Sequence, residues 1–255
     1  MTDLAAPAVA GLDELLLTMA DDEFVIGFSD SEWTGIAPLL EEDVAMSSLS
    51  QDELGHAAAL YGLLAELVGT DPDTLAYDRD PADYRHARLL DHGRGDWAMT
   101  IARRYLYETA DAVRLEAIDR GSWAPLADLI AKVRREERYH AMHIASWLER
   151  LAQARGEPRD RLIAALATLG PDAGTVFTPL ADEPALVEAG ILARPMAELE
   201  ATWRAGLGPV FRRLDLPSPP ATADPAHGRT HHGDDFRWLW GEFTAVRSAD
   251  PGATW

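Results

Sequence analysis

Two short phrases, Glu53-Leu54-Gly55-His56 and Glu137-Arg138-Tyr139-His140, constrain this chain more than anything else in it. On an α-helix, residues three apart lie nearly one above the other, so in each phrase the carboxylate and the imidazole leave one face within reach of a single ion. One such Glu-x-x-His is common on a solvated helix. What sharpens the signal is the setting of both copies. Steps of three and four from Glu53 and His56 reach Met46, Leu49, Leu60, Leu63 and Leu67. The same walk from Glu137 and His140 reaches Ile130, Val133, Ile144, Trp147 and Leu151. Both pairs therefore lie in apolar stripes that should face a core. Burying ionised groups there is costly unless they are paired or bound to a metal.

No long stretch alternates apolar and polar residues at period two, so the pattern predicts an all-α chain. A first helix is expected over about 11–28, with Leu16, Met19, Glu23 and Ile26 on one stripe and Ser29-Asp30-Ser31 as its break. A second is expected over about 38–68, ending at Gly69. Residues 70–95, rich in Asp, Pro and Gly, read as a long crossover. A third helix follows over about 96–120, with Trp97, Ile101, Tyr105, Glu108, Ala112 and Leu115 on one stripe. A fourth over about 123–155 stops at Gly156. Shorter helices at 162–169, 185–189, 195–206 and 236–246 are expected to wrap the bundle. The whole chain, 1–255, then reads as one ferritin-like domain with its core at about 11–155 and its C-terminal helical wrap at about 158–255. Trp238 and Trp240 point opposite ways on the last helix, one towards the bundle and one free to meet a partner.

The spacing also reveals a duplication. Glu23 precedes Glu53 by 30 residues and Glu108 precedes Glu137 by 29, so each half is a helix with one inward Glu followed by a helix with Glu-x-x-His. Two such hairpins make a pseudo-symmetric four-helix bundle. One Glu from each of two helices and Glu-x-x-His from the other two is the ligand set of ferritin-like carboxylate bundles that hold two iron or manganese ions. The candidate ligands are Glu23, Glu53, His56, Glu108, Glu137 and His140. Asp21 and Asp22 compete with Glu23, and Asp111 with Glu108; stripe phase and spacing favour the glutamates. Asp52 and Glu136, each just before a ligand, read as solvated, with a hydrogen bond from a histidine to one of them as the alternative. His143 reads as surface or as outer support. Met19, Phe24, Leu49 and Tyr105 are core or pocket lining.

Charge and cysteine content narrow the functions open to such a bundle. A formal net charge of -20 argues against nucleic acid or an anionic membrane as partner of the surface as a whole. An anionic ligand would need a local basic patch. Arg103-Arg104 and Arg134-Arg135 are the candidates, against the reading that they are solvated helix faces. With no cysteine, thiolate sites and iron–sulfur clusters are excluded, and any metal must be held by His and carboxylates. The N-terminal segment is acidic where a signal peptide is basic, and Leu15-Leu16-Leu17 is too short for a membrane span, so a cytoplasmic location is expected. His227, His231 and His232 suggest a second metal site, but Gly228 and Gly233 around them predict a mobile loop instead.

The chain resembles the ferritin-like subunits of the bacterial phenylacetyl-CoA epoxidase family. The resemblance is carried by Ser31 to Pro38 (SEWTGIAP), Gln51 to His56 (QDELGH), Ile101-Ala102-Arg103-Arg104-Tyr105, Arg138-Tyr139-His140, Trp147 to Leu151 and Pro251-Gly252-Ala253-Thr254-Trp255. Length and flanking phrases resemble the structural subunit, the PaaC type; the phrase Gln51-Asp52-Glu53-Leu54-Gly55-His56 resembles the catalytic subunit, the PaaA type. The resemblance implies a multicomponent monooxygenase of phenylacetate breakdown, with two iron ions, an aryl-CoA substrate, a reductase and other epoxidase subunits as partners, and a homo- or heterodimer. In this family the structural subunit is a scaffold for the catalytic one. The resemblance is therefore compatible with a subunit that uses its own metal site to activate oxygen or with a non-catalytic scaffold. Ferritin-like iron oxidation or storage is a third reading.

Overall fold

The first helix, α1 (Ala6–Ser31), has no solvent face through its middle: every residue from Thr18 to Gly27 is buried. A helix covered all round has neighbours on every side, so the consecutive Asp21, Asp22 and Glu23 can all be buried, each meeting a different one. The computed structural model describes residues 5–250, and the Pro251–Trp255 phrase lies outside them. Among the described residues there are α-helices and short 3₁₀ turns but no strand.

The second helix, α2 (Leu40–Val68), folds back along α1. Gly27 sets their approach: a Cβ there would lie 3.0 Å from Leu54 Cγ and 3.1 Å from Glu53 Cβ, so the backbone of α1 comes closest beside Glu53. The second hairpin is α4 (Trp97–Ile118) with α5 (Ala124–Gln153). The Asp96 carboxylate accepts from Met99 N at 2.9 Å and caps α4. Side-chain pairs between α2 and α5, Glu42 with His143 and His56 with Glu136, run in opposite directions along the two chains and set these helices antiparallel.

The crossover contains a short helix, α3 (Pro72–Tyr77), and two 3₁₀ turns, Pro81–Asp83 and Arg88–Leu90. It is pinned by the buried acids of α1: Asp21 accepts from Arg85 N at 2.6 Å and Asp22 from Ala87 N at 2.7 Å. The C-terminal third adds α6 (Glu157–Leu169), a 3₁₀ run Gly170–Phe177, α7 (Glu183–Glu188), α8 (Met196–Leu214) and α9 (Asp234–Ala249). Helices α6 and α8 lie on α4, α7 lies on α1, and α9 brings Phe243 to within 4.9 Å of Phe24, ring to ring. Trp240 is half-buried, donating to Arg79 O, while Trp238 is exposed.

Several helices run longer than expected, α1 and α6 each starting about five residues earlier, and two of the extensions at C-terminal ends have a clear cause. The break at Ser29-Asp30-Ser31 does not occur: α1 continues to Ser31 because Asp30 is fully buried and accepts from Arg103 and Arg104, each at 2.7 Å. The helix expected to stop at Gly206 runs on through Pro209 to Leu214, where Leu207, Phe211 and Leu214 bury an apolar stripe that outweighs the proline.

Candidate metal centre

The six candidate ligands come from four helices and meet in the interior. Glu23 sits on α1, Glu53 and His56 on α2, Glu108 on α4, Glu137 and His140 on α5, and all six are buried. Their donor atoms form two overlapping groups whose members lie within 4.8 Å of one another: Glu23, Glu53, His56 and Glu137, and Glu53, Glu108, Glu137 and His140. Glu53 and Glu137 belong to both. Glu23 with His56 and Glu108 with His140 stand at opposite ends. Asp111, the competitor of Glu108, is turned to Arg114 at 2.8 Å and is in neither group. Asp21 is taken by Tyr61, Arg79 and Arg85 N, and Asp22 by Arg114, Arg229 and Ala87 N, which leaves Glu23 facing the cavity.

The histidines are oriented across the bundle. His56 Nε2 lies 2.8 Å from Glu136 Oε2, and His140 Nε2 lies 3.1 Å from Asp52 Oδ2. Thus the acid preceding each helix's ligand Glu holds the opposite helix's histidine, and both positions read as solvated have a structural partner. With Nε2 turned outward to these carboxylates, Nδ1 of each ring faces the cavity. His143 is half-buried and pairs with Glu42 Oε2 at 2.9 Å, outside the cavity.

Unsatisfied atoms show what the cavity is built to receive. Glu23 Oε2, Glu53 Oε2, Glu108 Oε2, Glu137 Oε1, His56 Nδ1 and His140 Nδ1 are all buried without a hydrogen-bond partner. They are half of the twelve such side-chain atoms among the described residues, so the deficit is concentrated at this one place. Each unpaired buried group costs about 1–3 kcal/mol. Two divalent ions would satisfy all six, and four carboxylates would balance their charge; the oxygen-rich, imidazole-containing set suits iron or manganese.

Electrostatics agree. Burial opposes charging His56, yet Glu137, Glu23 and Glu53 around its Nδ1 drive its pKa far up; His140, beside Glu137 and Glu53, is pushed up to about 11. Burial and the neighbouring Glu53 raise Glu23. Glu53, although burial opposes it, is held well below the usual range by Arg104. The carboxylates around the two rings thus favour positive charge at the middle of the bundle.

Sequence reasoning missed the charges behind the ligands. Arg103 and Arg104 are neither a surface patch nor a solvated face; both are fully buried. Arg104 donates to Asp30, to Glu53 Oε1 and to Glu108 Oε1 at 2.6 Å, so one oxygen of each of two ligands already meets a cation while Oε2 of each is left without a partner; Glu53 Oε1 also lies 3.4 Å from His140 Nδ1. Tyr107 OH donates to Glu23 Oε1 at 2.9 Å. Helical phase could have found this set: Arg104 is four residues before Glu108, and Asp30 seven after Glu23. Of the expected pocket liners, Met19, Phe24, Leu49 and Tyr105 are all buried core residues.

Beside the centre, between α4 and α5, lies a cavity of about 420 Å³. Glu108 and Glu137 reach its wall, Ala112, Val113 and Ala131 line it, and Arg134, Arg135 and Arg138 line its rim together with Glu116 and Asp119. Arg134 pairs with Asp119. Arg135 and Arg138 are exposed and have no ion-pair partner among the described residues.

Comparison with known proteins fits this geometry. The family described as phenylacetic acid catabolic protein matches residues 3–255. The chain is 29% identical over 241 residues to the C-type subunit of the 1,2-phenylacetyl-CoA epoxidase of Escherichia coli (strain K12), covering 94% of this chain and 97% of that one. It is 26% identical over 121 residues to the A-type subunit of the same epoxidase, covering 48% of this chain and 39% of the relative. Similarity to the first of these relatives thus spans the length of the fold, and similarity to the second spans half of it. No helix among the described residues is long and apolar enough to cross a membrane.

Proposed function

The chain belongs to the phenylacetic acid catabolic protein family, and from that premise we propose that it is one component of a phenylacetyl-CoA epoxidase-type multicomponent monooxygenase and carries its own dinuclear iron site. The single observation behind the second half of this reading is the convergence of six unsatisfied donor atoms from four helices. Glu53 and Glu137 would serve both ions, Glu23 and His56 one, Glu108 and His140 the other. Bound there, ferrous ions would supply the reducing electrons and open positions that oxygen activation needs. The protein's own contribution is placement. Asp52 and Glu136 fix the imidazoles with Nδ1 inward, Arg104 steadies Glu53 and Glu108, and the apolar stripes of the four helices keep water from the interior.

The cavity between α4 and α5 gives an aryl-CoA thioester a way in. Its apolar wall suits an aromatic acyl group, its volume suits that end of the molecule alone, and the unpaired Arg135 and Arg138 suit the phosphates left outside. Partner subunits of the epoxidase and a reductase complete the assembly.

One observation favours a second reading, a structural subunit of the same complex that needs no metal. Arg104 already supplies positive charge to Glu53 and Glu108, so part of the carboxylate charge is balanced from within the protein. Elemental analysis after expression with abundant iron separates the two. The metal-bearing reading expects about two irons per chain, abolished by Glu53→Ala; a wild-type chain without metal would establish the structural one.

A further inference from the structure

Five of the eight histidines lie away from the bundle centre and from His143: His86, His92, His227, His231 and His232. Three of these are in the loop expected to be mobile, and the structure instead staples that loop down. Arg229 is buried and donates to both oxygens of Asp22 on α1, at 2.9 and 3.0 Å, and to Arg85 O and Val176 O. Gly228 O accepts from Arg88 N at 2.8 Å, and a Cβ on Gly228 would collide with Thr178 Oγ1, so only glycine seats the backbone there. Gly233 N donates to Asp91 Oδ2 at 2.8 Å.

This anchoring sorts the three loop histidines into two directions. His232 turns inward, between Asp91 Oδ1 at 2.8 Å and Tyr84 O at 3.0 Å, and stacks on His86. His227 and His231 stay on the surface and face each other, ring centroids 4.7 Å apart. Asp224 joins them: its carboxylate oxygens lie 3.1 and 3.2 Å from His227 Nδ1, and one donor atom from each of Asp224, His227 and His231 falls within 4.8 Å of the others. The spacing Asp224-x-x-His227-x-x-x-His231 is brought together by the 3₁₀ turn Pro225–His227.

We propose that Asp224, His227 and His231 form a second, mononuclear site for a zinc-like divalent ion. Two imidazoles and one carboxylate are three of the four ligands of a tetrahedral zinc, and the exposed side leaves the fourth position to water. The donor set also separates this site from the bundle. Four carboxylates with two imidazoles suit iron or manganese, whereas a majority of imidazole shifts the preference towards zinc, nickel or copper. Because Gly228, Arg229, His232 and Gly233 hold the loop without any ion, little chain ordering remains to be done on binding, and the site stands ready-made. Arg88, 4.0 Å from Asp224 and bound to Asp172 at 2.7 Å, limits the movement of the carboxylate. The proposal does not depend on the bundle being metallated.

The test is zinc titration of the full-length, tag-free, metal-stripped protein, read by elemental analysis after gel filtration and by competition with a chromophoric chelator. In a Glu53→Ala background, which removes the bundle sites, one zinc per chain is expected to remain. Adding His227→Ala and His231→Ala should lose it, each single change weakening binding by about tenfold or more. Both histidines are exposed, so these variants should keep the parent melting temperature. His92→Ala and His143→Ala should leave the zinc count unchanged. The proposal is overturned if the Glu53→Ala protein binds no zinc, or if the doubly substituted loop binds it with the same number and affinity.

Discussion

The two hairpins of the bundle carry matching ligands in unlike surroundings. An offset of 84 positions carries Glu53 onto Glu137 and His56 onto His140, and one of 85 carries Glu23 onto Glu108. The same offsets carry Met19 onto Arg104, and Ser50, Gln51 and Leu54 onto Arg134, Arg135 and Arg138. On the first hairpin, the crossover, α7 and α9 close over α1, and Arg79, Arg114 and Arg229 meet its acids. On the second, α6 and α8 cover α4, but α5 keeps a face to solvent and a cavity opens beside Glu108 and Glu137. The positions that match between the halves are the candidate ligands, and the differences fall on what surrounds them: the first half encloses, the second opens.

Substitutions at paired positions test how deep that division goes. The largest effect is expected from Arg104→Met, which gives the second hairpin the residue of the first. It strands Glu53 and Glu108 without their shared cation and leaves Asp30 to Arg103 alone, and removing one partner of a buried ion pair costs about 3–5 kcal/mol. Denaturant unfolding of the metal-free protein should show that loss, and an unchanged midpoint would mean the two halves tolerate the same interior. Next come Asp52→Ala and Glu136→Ala, equivalent positions with equivalent roles. Each should weaken metal binding by about 10–100-fold and by similar factors. A tenfold disparity between them in a chelator competition would show that the two metal positions are unequal.

Smaller changes probe the open side. Arg135→Ala with Arg138→Ala should weaken binding of phenylacetyl-CoA to the metal-free protein by about tenfold, the loss of charge-assisted contacts at an exposed rim. Iron content should stay the same, and Gln51→Ala with Leu54→Ala on the closed hairpin should leave thioester binding unaltered. Calorimetry reads the thioester binding and elemental analysis the iron. The smallest expected effect is on the enclosing side, at the His86–Asp91–His232 cluster. Burial and the neighbouring His232 depress His86, and the two histidines hold Asp91 below its usual range despite burial. Both folded-state values lie under their unfolded ones, so the stability they contribute is complete above about pH 6.5 and lost as pH falls, first through His86 and then Asp91. The protection factor of the Gly233 amide, its exchange rate divided into the intrinsic rate at the same pH, should fall on acidification ahead of those of amides in α4.

How much of this was legible in the sequence follows from where each signal resides. The six inward residues could be read because a three-residue spacing within a stripe is a local property that one helix imposes by itself. Glu23 was separable from Asp21 and Asp22 only by phase, since what distinguishes them is Tyr61, Arg79, Arg114 and Arg229, contributed by remote segments. Arg103 and Arg104 misled for the same reason: two adjacent arginines read as surface until Asp30 on another helix accepts from both. The histidine loop looked mobile because glycines mark freedom when nothing anchors them, and here Gly228 is the residue that permits the close seat.

The ion pair between Asp22 and Arg229 has a consequence for biosynthesis. Its partners are 207 residues apart, an interval of about 10–40 s at ~5–20 residues per second of translation. During that time the first helix holds an interior anion lacking one of the two guanidiniums that will neutralise it. The nascent chain can gather its four long helices early, but this lock on the first of them waits until Arg229 has been translated. A chain cut short before Arg229 would leave Asp22 to Arg114 and the Ala87 amide alone, and its first helix less firmly tied to the crossover.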